Sequence, residues 1–284
     1  MTTAVRVWAQ TGRYATWCGH RIFFREDGAG DPLLLLHGMP TASWVWHRVW
    51  PVLVARYRVL APDFIGFGLS DKPRDFHYSI ARQADLCLDL LAERHVDRVH
   101  VLSHDYGNTI AQEMLARPQG SVIASLCCLN GGIFPEAHHP LLMQRVIASR
   151  LGRPLARLVI RRPFQRNLAR LFGPDTQPDQ ATLDTFWNLL TGNNGRAVLP
   201  RLLNYLADRQ RHRDRLVEAL VRAPVPRCFL CGMSDPVCNT DMMDRWRELI
   251  PDGEVIELPR IGHWPQLETP DAVVAAYRRF REVA

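Results

Sequence analysis

The chain alternates short apolar runs with longer segments whose apolar residues recur at helical spacing. Consecutive apolar positions predict strands buried on both faces of a sheet, as in parallel sheets. We predict such strands at residues 33–36, 57–62, 98–102 and 122–129, and further strands at 227–231 and 254–258. Helical spacing predicts helices at residues 85–93, 108–117 and 271–281. Strands that alternate with helices indicate an α/β fold with a mostly parallel, doubly wound sheet.

Two segments depart from this alternation. Residues 14–17 and 20–25 predict an antiparallel hairpin with Cys18-Gly19 as its turn. From residue 133 to residue 223 the pattern is helical, interrupted by prolines and without strand character. A helical block between two strands of a parallel sheet is expected to cover the carboxyl ends of the strands. We therefore predict a core formed by residues 1–132 and 224–284, with an inserted helical cap at residues 133–223.

Composition narrows the class of protein. The 284 residues are 47% hydrophobic and 23% charged, which is typical of a soluble globular protein. The seven cysteines follow no disulfide spacing, and Cys228 and Cys231 are interpreted as buried strand residues, so we predict a reducing, cytoplasmic location. The start of the chain does not have the layout of a signal peptide. The sequence has no ligand cluster or dinucleotide fingerprint, so we expect neither a metal nor an organic cofactor.

The net charge of +6 is carried almost entirely by arginine, because Lys72 is the only lysine. This usage indicates a compositional bias, and we expect no nucleic-acid partner. Residues 137–174 contain no acidic residue, and arginines recur there at near-helical spacing: Arg150, Arg153, Arg157, Arg161, Arg162, Arg166 and Arg170. These cap arginines are interpreted either as a solvated face or as a weak contact with an anionic membrane surface. None of these patterns bears on oligomeric state.

The candidate nucleophile lies where a predicted strand runs directly into a predicted helix. Such a turn presents its middle residue at the top of the sheet and needs small residues two positions before and after it. Ser103 and Gly107 meet this requirement around Asp105, whereas a turn centred on Ser103 would put Val101 and Asp105 at the small positions. The sequence contains no G-x-S-x-G motif. Asp105 is thus the residue at the turn, although aspartate is also a frequent helix N-cap.

Two further residues complete a candidate triad. Asp235 and His263 each follow a predicted strand, and the chain order of Asp105, Asp235 and His263 is the nucleophile–acid–base order of hydrolases with this arrangement of strands. The preceding strand ends at the uncharged Asn130, so Asp235 is the better candidate for the acid. Three matches in the correct order favour catalysis over a helix cap.

The loop after the first long strand supplies the candidate oxyanion hole. It has the sequence His37-Gly38-Met39-Pro40. In this arrangement one backbone N–H comes from Met39 and the other from the residue after the nucleophile, Tyr106. We expect His37 and Pro40 of the same loop to lie beside the substrate.

These motifs together resemble the aspartate-nucleophile branch of the α/β-hydrolase superfamily, which contains epoxide hydrolases and haloalkane dehalogenases. The resemblance covers nearly the whole chain. The segments 102–107 (LSHDYG) and 125–136 (SLCCLNGGIFPE) are most similar to the mesoderm-specific transcript protein group. The resemblance implies an α/β-hydrolase fold with a helical cap and a small hydrophobic substrate, either an epoxide or an alkyl halide.

The cap departs from both enzyme classes. Epoxide hydrolases typically use two cap tyrosines to protonate the epoxide oxygen, and this cap has only Tyr205. Dehalogenases need N–H donors for the departing halide, and Trp187 is the candidate here. Both residues are therefore expected at the substrate. We expect epoxide hydrolysis to a diol, with dehalogenation as the alternative. A further alternative is a hydrolase fold that is retained for binding or signalling, at a membrane through the cap arginines.

Overall fold

The computed structural model describes residues 1–139, 159–238 and 240–283. Within them, eight strands form one sheet in the order β1-β2-β4-β3-β5-β6-β7-β8. The strands are β1 (Arg13–Trp17), β2 (His20–Asp27), β3 (Asp31–Leu36), β4 (Tyr57–Pro62), β5 (Val99–His104), β6 (Ile123–Leu129), β7 (Arg227–Gly232) and β8 (Glu254–Leu258). Strand β2 pairs antiparallel with β1 and β4, and all other pairs are parallel. The predicted α/β fold is confirmed.

The burial of the central strands explains why their sequence pattern predicts them. Residues 33–36 are fully buried, and every residue of β6 and β7 is buried. A strand covered on both faces must be apolar at consecutive positions, which is the pattern found in the sequence. The hairpin is also confirmed, because Cys18 and Gly19 join β1 to β2 with φ values of 49° and 77°. Positive φ at both turn residues gives the twist that a two-residue hairpin needs.

The helices flank the sheet or lie between β6 and β7 in sequence. They are α1 (Thr3–Gln10), α2 (Trp50–Val54), α3 (Ile80–Glu93), α4 (Tyr106–Leu115), α5 (Arg161–Ala169), α6 (Gln180–Thr191), α7 (Gly195–Leu202), α8 (Tyr205–Arg211), α9 (Arg213–Val221), α10 (Thr240–Leu249), α11 (Pro265–Glu268) and α12 (Pro270–Val283). Helices α5 to α9 occupy the stretch where the cap is predicted. The boundaries of that cap, 133 and 223, stay predictions. Arg150, Arg153 and Arg157 lie outside the described residues.

Helix α1 was not predicted from the sequence. Of its eight residues, only Val5 and Trp8 are buried, which leaves too few apolar positions for a recognisable helical period. Trp8 packs edge-on against Trp50 with ring centroids 5.1 Å apart. The Thr2 side chain caps the helix by accepting a hydrogen bond from the backbone N–H of Val5. Tertiary packing and a cap therefore stabilise a helix whose own sequence pattern is weak.

The turn from β5 into α4 consists of one residue. Asp105 has φ 50° and ψ −110°, a conformation that is rare for a residue with a side chain and costs about 1–3 kcal/mol. Close packing beneath the turn enforces it. A Cβ on Gly107 would lie 2.4 Å from the carbonyl oxygen of Leu36, and a Cβ on Gly131 would lie 2.2 Å from Cα of Asp105. Ser103 donates its hydroxyl to Oδ1 of Asn108 (2.7 Å) under the same turn.

Replacing Gly107 with alanine is expected to destabilise the protein. The added methyl group would collide with backbone that cannot move aside cheaply, at a cost of about 1–3 kcal/mol in the free energy of unfolding. Urea unfolding measures this loss. Gly192→Ala is the control, since a Cβ there meets nothing within 4 Å, and it should change stability by less than about 0.5 kcal/mol. Equal effects of the two substitutions would contradict this account of the turn.

Candidate active site

The Asp105 carboxylate lies at the carboxyl end of β5 and is nearly buried, with 6% of the residue exposed. Its Oδ2 atom accepts a hydrogen bond from the backbone N–H of Met39 (2.8 Å). Gly38 permits this approach, because a Cβ there would lie 2.7 Å from Cβ of Asp105. Tyr106 is the first residue of α4, where a backbone N–H has no acceptor one turn earlier in the helix. The backbone N–H of Met39 thus holds one oxygen of the Asp105 carboxylate.

His263 and Asp235 form a buried pair beside Asp105. The Nδ1 atom of His263 donates to Oδ2 of Asp235 (2.7 Å), and the residues are 3% and 1% exposed. The other carboxylate oxygen of Asp235 accepts from the N–H of Val237 (2.8 Å). Because the bond to Asp235 occupies Nδ1, the Nε2 atom of the imidazole is left for proton transfer. The structure therefore brings the three predicted triad residues together.

Asn130 connects Asp105 to Asp235. This role was not predicted from the sequence. Its Nδ2 atom donates to Oδ2 of Asp235 (2.9 Å), and its Oδ1 atom accepts from the N–H of Gly232 (2.7 Å). Its backbone carbonyl accepts from the N–H of Asp105 (2.8 Å). From the sequence, Asn130 is only an uncharged residue at the end of a predicted strand, where an acid could stand. This position is the one feature of the sequence that points to a role in the site.

His104 is a second residue that the sequence analysis missed. It is fully buried, and its Nε2 donates to the backbone carbonyl of His263 (2.7 Å). Its ring also meets the ring of His263 edge-on, with centroids 5.0 Å apart. Burial and the neighbouring His263 hold the pKa of His104 well below its usual value, so its ring is neutral. His104 thus fixes the backbone that carries His263.

The charge on His263 depends on three carboxylates, of which Asp235 and Asp105 have larger effects than Glu268. Burial alone would lower the pKa of His263, but the charge of Asp235 and its hydrogen bond, together with the charge of Asp105, raise the pKa to about 9. The imidazole is therefore protonated at neutral pH. If the charge on Asp105 is removed, one of the causes of the raised pKa is removed with it.

Asp105 and His263 open into one apolar cavity. Met39 and Pro40 form one side of it. Residues from the cap region supply much of the remaining wall, namely Phe164, Leu168, Leu171, Leu190, Leu199 and Leu203. Asn167 contributes an amide. The cavity suits a small hydrophobic molecule that approaches the two charged side chains.

Of the four residues predicted to contact substrate, Pro40 lines this cavity, and His37, Trp187 and Tyr205 do not. His37 does not line the cavity, because its Nδ1 donates to the Gly38 carbonyl (2.8 Å) and its Nε2 accepts from the N–H of Phe64 (3.1 Å). Burial lowers the pKa of His37 to about 3. Trp187 does not line it either, since its ring packs against Phe164 and under the guanidinium of Arg196. His37 braces the oxyanion loop, and Trp187 packs within the cap region.

Tyr205 does not line the cavity either, but it packs on the residue that follows Asp105. It is buried, and its ring packs edge-on against that of Tyr106 with centroids 4.8 Å apart. Among the described residues its hydroxyl has no hydrogen-bond partner. Burial and the charge of Asp105 raise the pKa of Tyr205, while Arg209 opposes that rise. Tyr205 therefore lies within electrostatic reach of Asp105.

Comparison with known proteins identifies the family. A model described as the alpha/beta hydrolase family matches residues 33–276. The chain is 39% identical over 298 residues to the mesoderm-specific transcript homolog protein of Homo sapiens, covering 99% of this chain and 88% of that protein. The chain belongs to the alpha/beta hydrolase family. This hydrolase is also 27% identical over 264 residues to haloalkane dehalogenase 2 of Mycobacterium tuberculosis, with 90% of each chain covered.

Solved structures share the fold of this hydrolase. The epoxide hydrolase CorEH superposes with a TM-score of 0.78 at 20% identity, covering 95% of this chain and 98% of that one. The haloalkane dehalogenase DbeA from Bradyrhizobium elkani superposes with a TM-score of 0.80 at 21% identity, covering 96% and 99%. The resemblance drawn from the sequence motifs is confirmed. At this identity the two structures support the fold alone.

Other features of the described residues bear on ligands and location. No three His, Cys, Asp or Glu side chains in them are grouped so as to hold a metal ion. None of the helices in these ranges is long and apolar enough to cross a membrane. The cysteines are free, and six of the seven are buried, including Cys228 and Cys231 in β7. Their interpretation as buried strand residues is confirmed.

Replacing Asp105 with asparagine is expected to lower the pKa of His263. The substitution removes one of the negative charges that favour the imidazolium and keeps the shape of the side chain. Titration of His263 by nuclear magnetic resonance in the wild-type protein and in Asp105→Asn measures the change. Asp214→Asn is the control, because that carboxylate is 94% exposed. An unchanged titration of His263 in Asp105→Asn would contradict the electrostatic coupling.

Proposed function

We propose that this hydrolase uses the Asp105 carboxylate to attack an electrophilic saturated carbon, and that its reaction is the hydrolysis of an epoxide to a diol. The observation that carries the proposal is the side chain at the strained turn. It is a carboxylate that meets a backbone N–H and shares its cavity with a His–Asp pair. The proposed substrate is small and hydrophobic, to match the cavity wall.

The identity of the nucleophile determines which substrates allow turnover. A serine alkylated by an epoxide would form an ether, which water does not cleave under these conditions. An aspartate alkylated in the same way forms an ester, which water can hydrolyse. Asp105 at this turn is therefore suited to alkylation followed by ester hydrolysis. A carboxylate nucleophile, unlike a serine hydroxyl, carries its negative charge without a base to remove a proton during the attack.

In the first half-reaction, Oδ1 of Asp105 attacks one carbon of the epoxide while Oδ2 stays hydrogen-bonded to the N–H of Met39. A bond forms between Oδ1 and carbon, and the bond from that carbon to the ring oxygen breaks. The ring oxygen leaves with the electron pair and takes the hydroxyl proton of Tyr205. The products are an ester on Asp105 and a tyrosinate at residue 205.

In the second half-reaction, His263 removes a proton from water as the water attacks the ester carbonyl carbon of Asp105. Formation of the ester has already removed the charge of Asp105, which lowers the pKa of His263, so the imidazolium releases its Nε2 proton to solvent and becomes the base. It takes up a proton from solvent again when the Asp105 carboxylate is restored. The N–H groups of Met39 and Tyr106 stabilise the oxyanion. His263 then protonates the departing alcohol, and the second proton of the water returns from the Asp105 carboxyl to the tyrosinate.

Two observations favour an epoxide over an alkyl halide. The Tyr205 hydroxyl is a donor near Asp105 without a partner among the described residues, and it suits a ring oxygen that must gain a proton. The indole of Trp187, the expected halide donor, packs against Phe164 and Arg196, whereas Tyr205 packs on the residue next to Asp105. Dehalogenation nevertheless has support in the relative named haloalkane dehalogenase 2. Halide release from a haloalkane panel, compared with diol formation from epoxides, separates the two reactions.

The first prediction from this proposal concerns a covalent intermediate. Asp105→Ala should abolish turnover, because no other nucleophile stands at the turn. His263→Gln should still be alkylated but should fail to hydrolyse the ester, so an adduct should accumulate. Mass spectrometry of peptides from His263→Gln after incubation with an epoxide panel detects it on Asp105.

Ser103→Ala is the matched control for that experiment. It removes the only aliphatic hydroxyl within two residues of Asp105, and it should leave the adduct in place. An adduct on Ser103 would overturn the proposal, as would the absence of an adduct with every epoxide that the wild-type protein converts. Binding to anionic vesicles without turnover of any epoxide or haloalkane would instead support a binding protein that acts through the cap arginines.

The second prediction concerns Tyr205. Tyr205→Phe should slow ring opening by about 10²–10⁴-fold, the usual contribution of a positioned acid. Alkylation of Asp105 by an alkyl bromide should be unaffected, because bromide leaves without a proton. Single-turnover adduct formation in the His263→Gln background measures both rates. Tyr14→Phe is the control, since Tyr14 is 46% exposed on the surface. Equal slowing of the epoxide and bromide reactions would show that Tyr205 is not the proton donor.

A further inference from the structure

Arg209 is a buried cation without an acidic partner. Only 3% of the residue is exposed, and among the described residues no carboxylate lies within ion-pair distance of its guanidinium. Burial lowers the pKa of Arg209. Removing a charge from water without a counter-ion is costly, and proteins seldom retain such a charge without a use for it. The contacts of Arg209 indicate what this use is.

The guanidinium of Arg209 donates hydrogen bonds to two neutral acceptors. Nη1 donates to the carbonyl of Gly132, and Nη2 donates to Nδ1 of His138 (2.8 Å). Gly132 allows this approach, because a Cβ there would collide with Nη1. Burial and the charge of Arg209 lower the pKa of His138 to about 2, so its ring stays neutral and accepts at Nδ1. Neither contact neutralises the charge, and both fix its position.

The positive charge lies next to the one cap tyrosine. Tyr205 and Arg209 are one turn apart on α8, and the guanidinium carbon lies 5.7 Å from the centroid of the Tyr205 ring. Tyr205 in turn packs on Tyr106, the residue that follows Asp105. The two negative charges that most favour the charged form of Arg209 are an ionised Tyr205 and Asp105. The guanidinium is thus placed to stabilise negative charge on the phenol oxygen.

We infer that Arg209 is a positioning residue that supports Tyr205 as the proton donor in ring opening. The inference rests on the proposed function. As the ring oxygen takes the Tyr205 proton, the phenol oxygen becomes negative in a largely buried environment. The fixed guanidinium stabilises that charge until the proton returns from the Asp105 carboxyl, and no other reactant is required. A cation beside a single tyrosine also accounts for ring opening without a second hydroxyl donor.

A purely structural role predicts a different pattern of effects. If Arg209 only tied α8 to Gly132 and His138, its removal would impair every reaction at Asp105 to a similar degree. If it acts through Tyr205, its removal impairs only the reaction that needs the Tyr205 proton. The test therefore compares an epoxide with an alkyl bromide. Both alkylate Asp105, and only the epoxide oxygen requires a proton.

The experiment measures single-turnover adduct formation in the His263→Gln background. Arg209→Met should slow the epoxide reaction by about 10–100-fold, in the range of couplings between neighbouring side chains, and should leave the bromide reaction unchanged. Arg209→Lys keeps a positive charge and should recover part of the epoxide rate. In the Tyr205→Phe background, Arg209→Met should cause no further slowing. Arg211→Met, on the exposed side of the same helix, is the control and should match the parent protein.

Each outcome decides between the interpretations. Equal slowing of the epoxide and bromide reactions by Arg209→Met, or additive slowing with Tyr205→Phe, overturns the inference and leaves Arg209 as a structural anchor. If Arg209→Met unfolds, as judged by thermal denaturation, the comparison is made with Arg209→Lys, which the inference requires to retain a preference for bromide over epoxide relative to the parent. Absence of any adduct on Asp105 in the parent protein would remove the proposed function itself, which is a separate result.

Discussion

The whole site depends on a turn in which one residue joins a strand to a helix. The space beneath this turn has no room for side chains at Gly107 and Gly131, so the chain can pass only with Asp105 in a strained conformation and its carboxylate directed to the top of the sheet. Strain of this kind persists only where the surroundings enforce it. Here the surroundings are the carbonyl of Leu36 on β3 and the backbone after β6. The two strands that flank β5 therefore determine where the candidate nucleophile stands.

The same strand ends also connect the charges of the site. Asn130 bonds to the backbone of Asp105 and to the carboxylate of Asp235, so a displacement at either residue is transmitted to the other. His263 lies between the two carboxylates, and both help to raise its pKa. In the proposed reaction this shared charge gives an order to the steps. The imidazole becomes a base only after Asp105 has become an ester, so the two half-reactions cannot run out of sequence.

The parts of this structure that could be predicted are those governed by local periodicity and motif order. Consecutive buried positions revealed the strands, and the order of Asp105, Asp235 and His263 revealed the triad positions. The missed residues, among them Asn130 and His104, act through contacts with distant strands that no spacing encodes. His37 and Trp187 lie off the cavity for a related reason. Motif position favoured His37 and the indole N–H favoured Trp187, but the hydrogen bonds of one ring and the aromatic packing of the other are set by distant residues.

The cap residues decide which chemistry this arrangement of carboxylates and imidazole can perform, because the core alone would serve an epoxide or a halide equally well. An apolar wall screens charges poorly, so it strengthens the interactions between the charges in the cavity. In such a place a phenol is a poor proton donor unless its anion has a partner, since burial and the nearby Asp105 both raise the pKa of Tyr205. A guanidinium held one helical turn away supplies that partner without entering the cavity. The buried charge of Arg209, costly for folding, is on this view the feature that makes a single tyrosine sufficient.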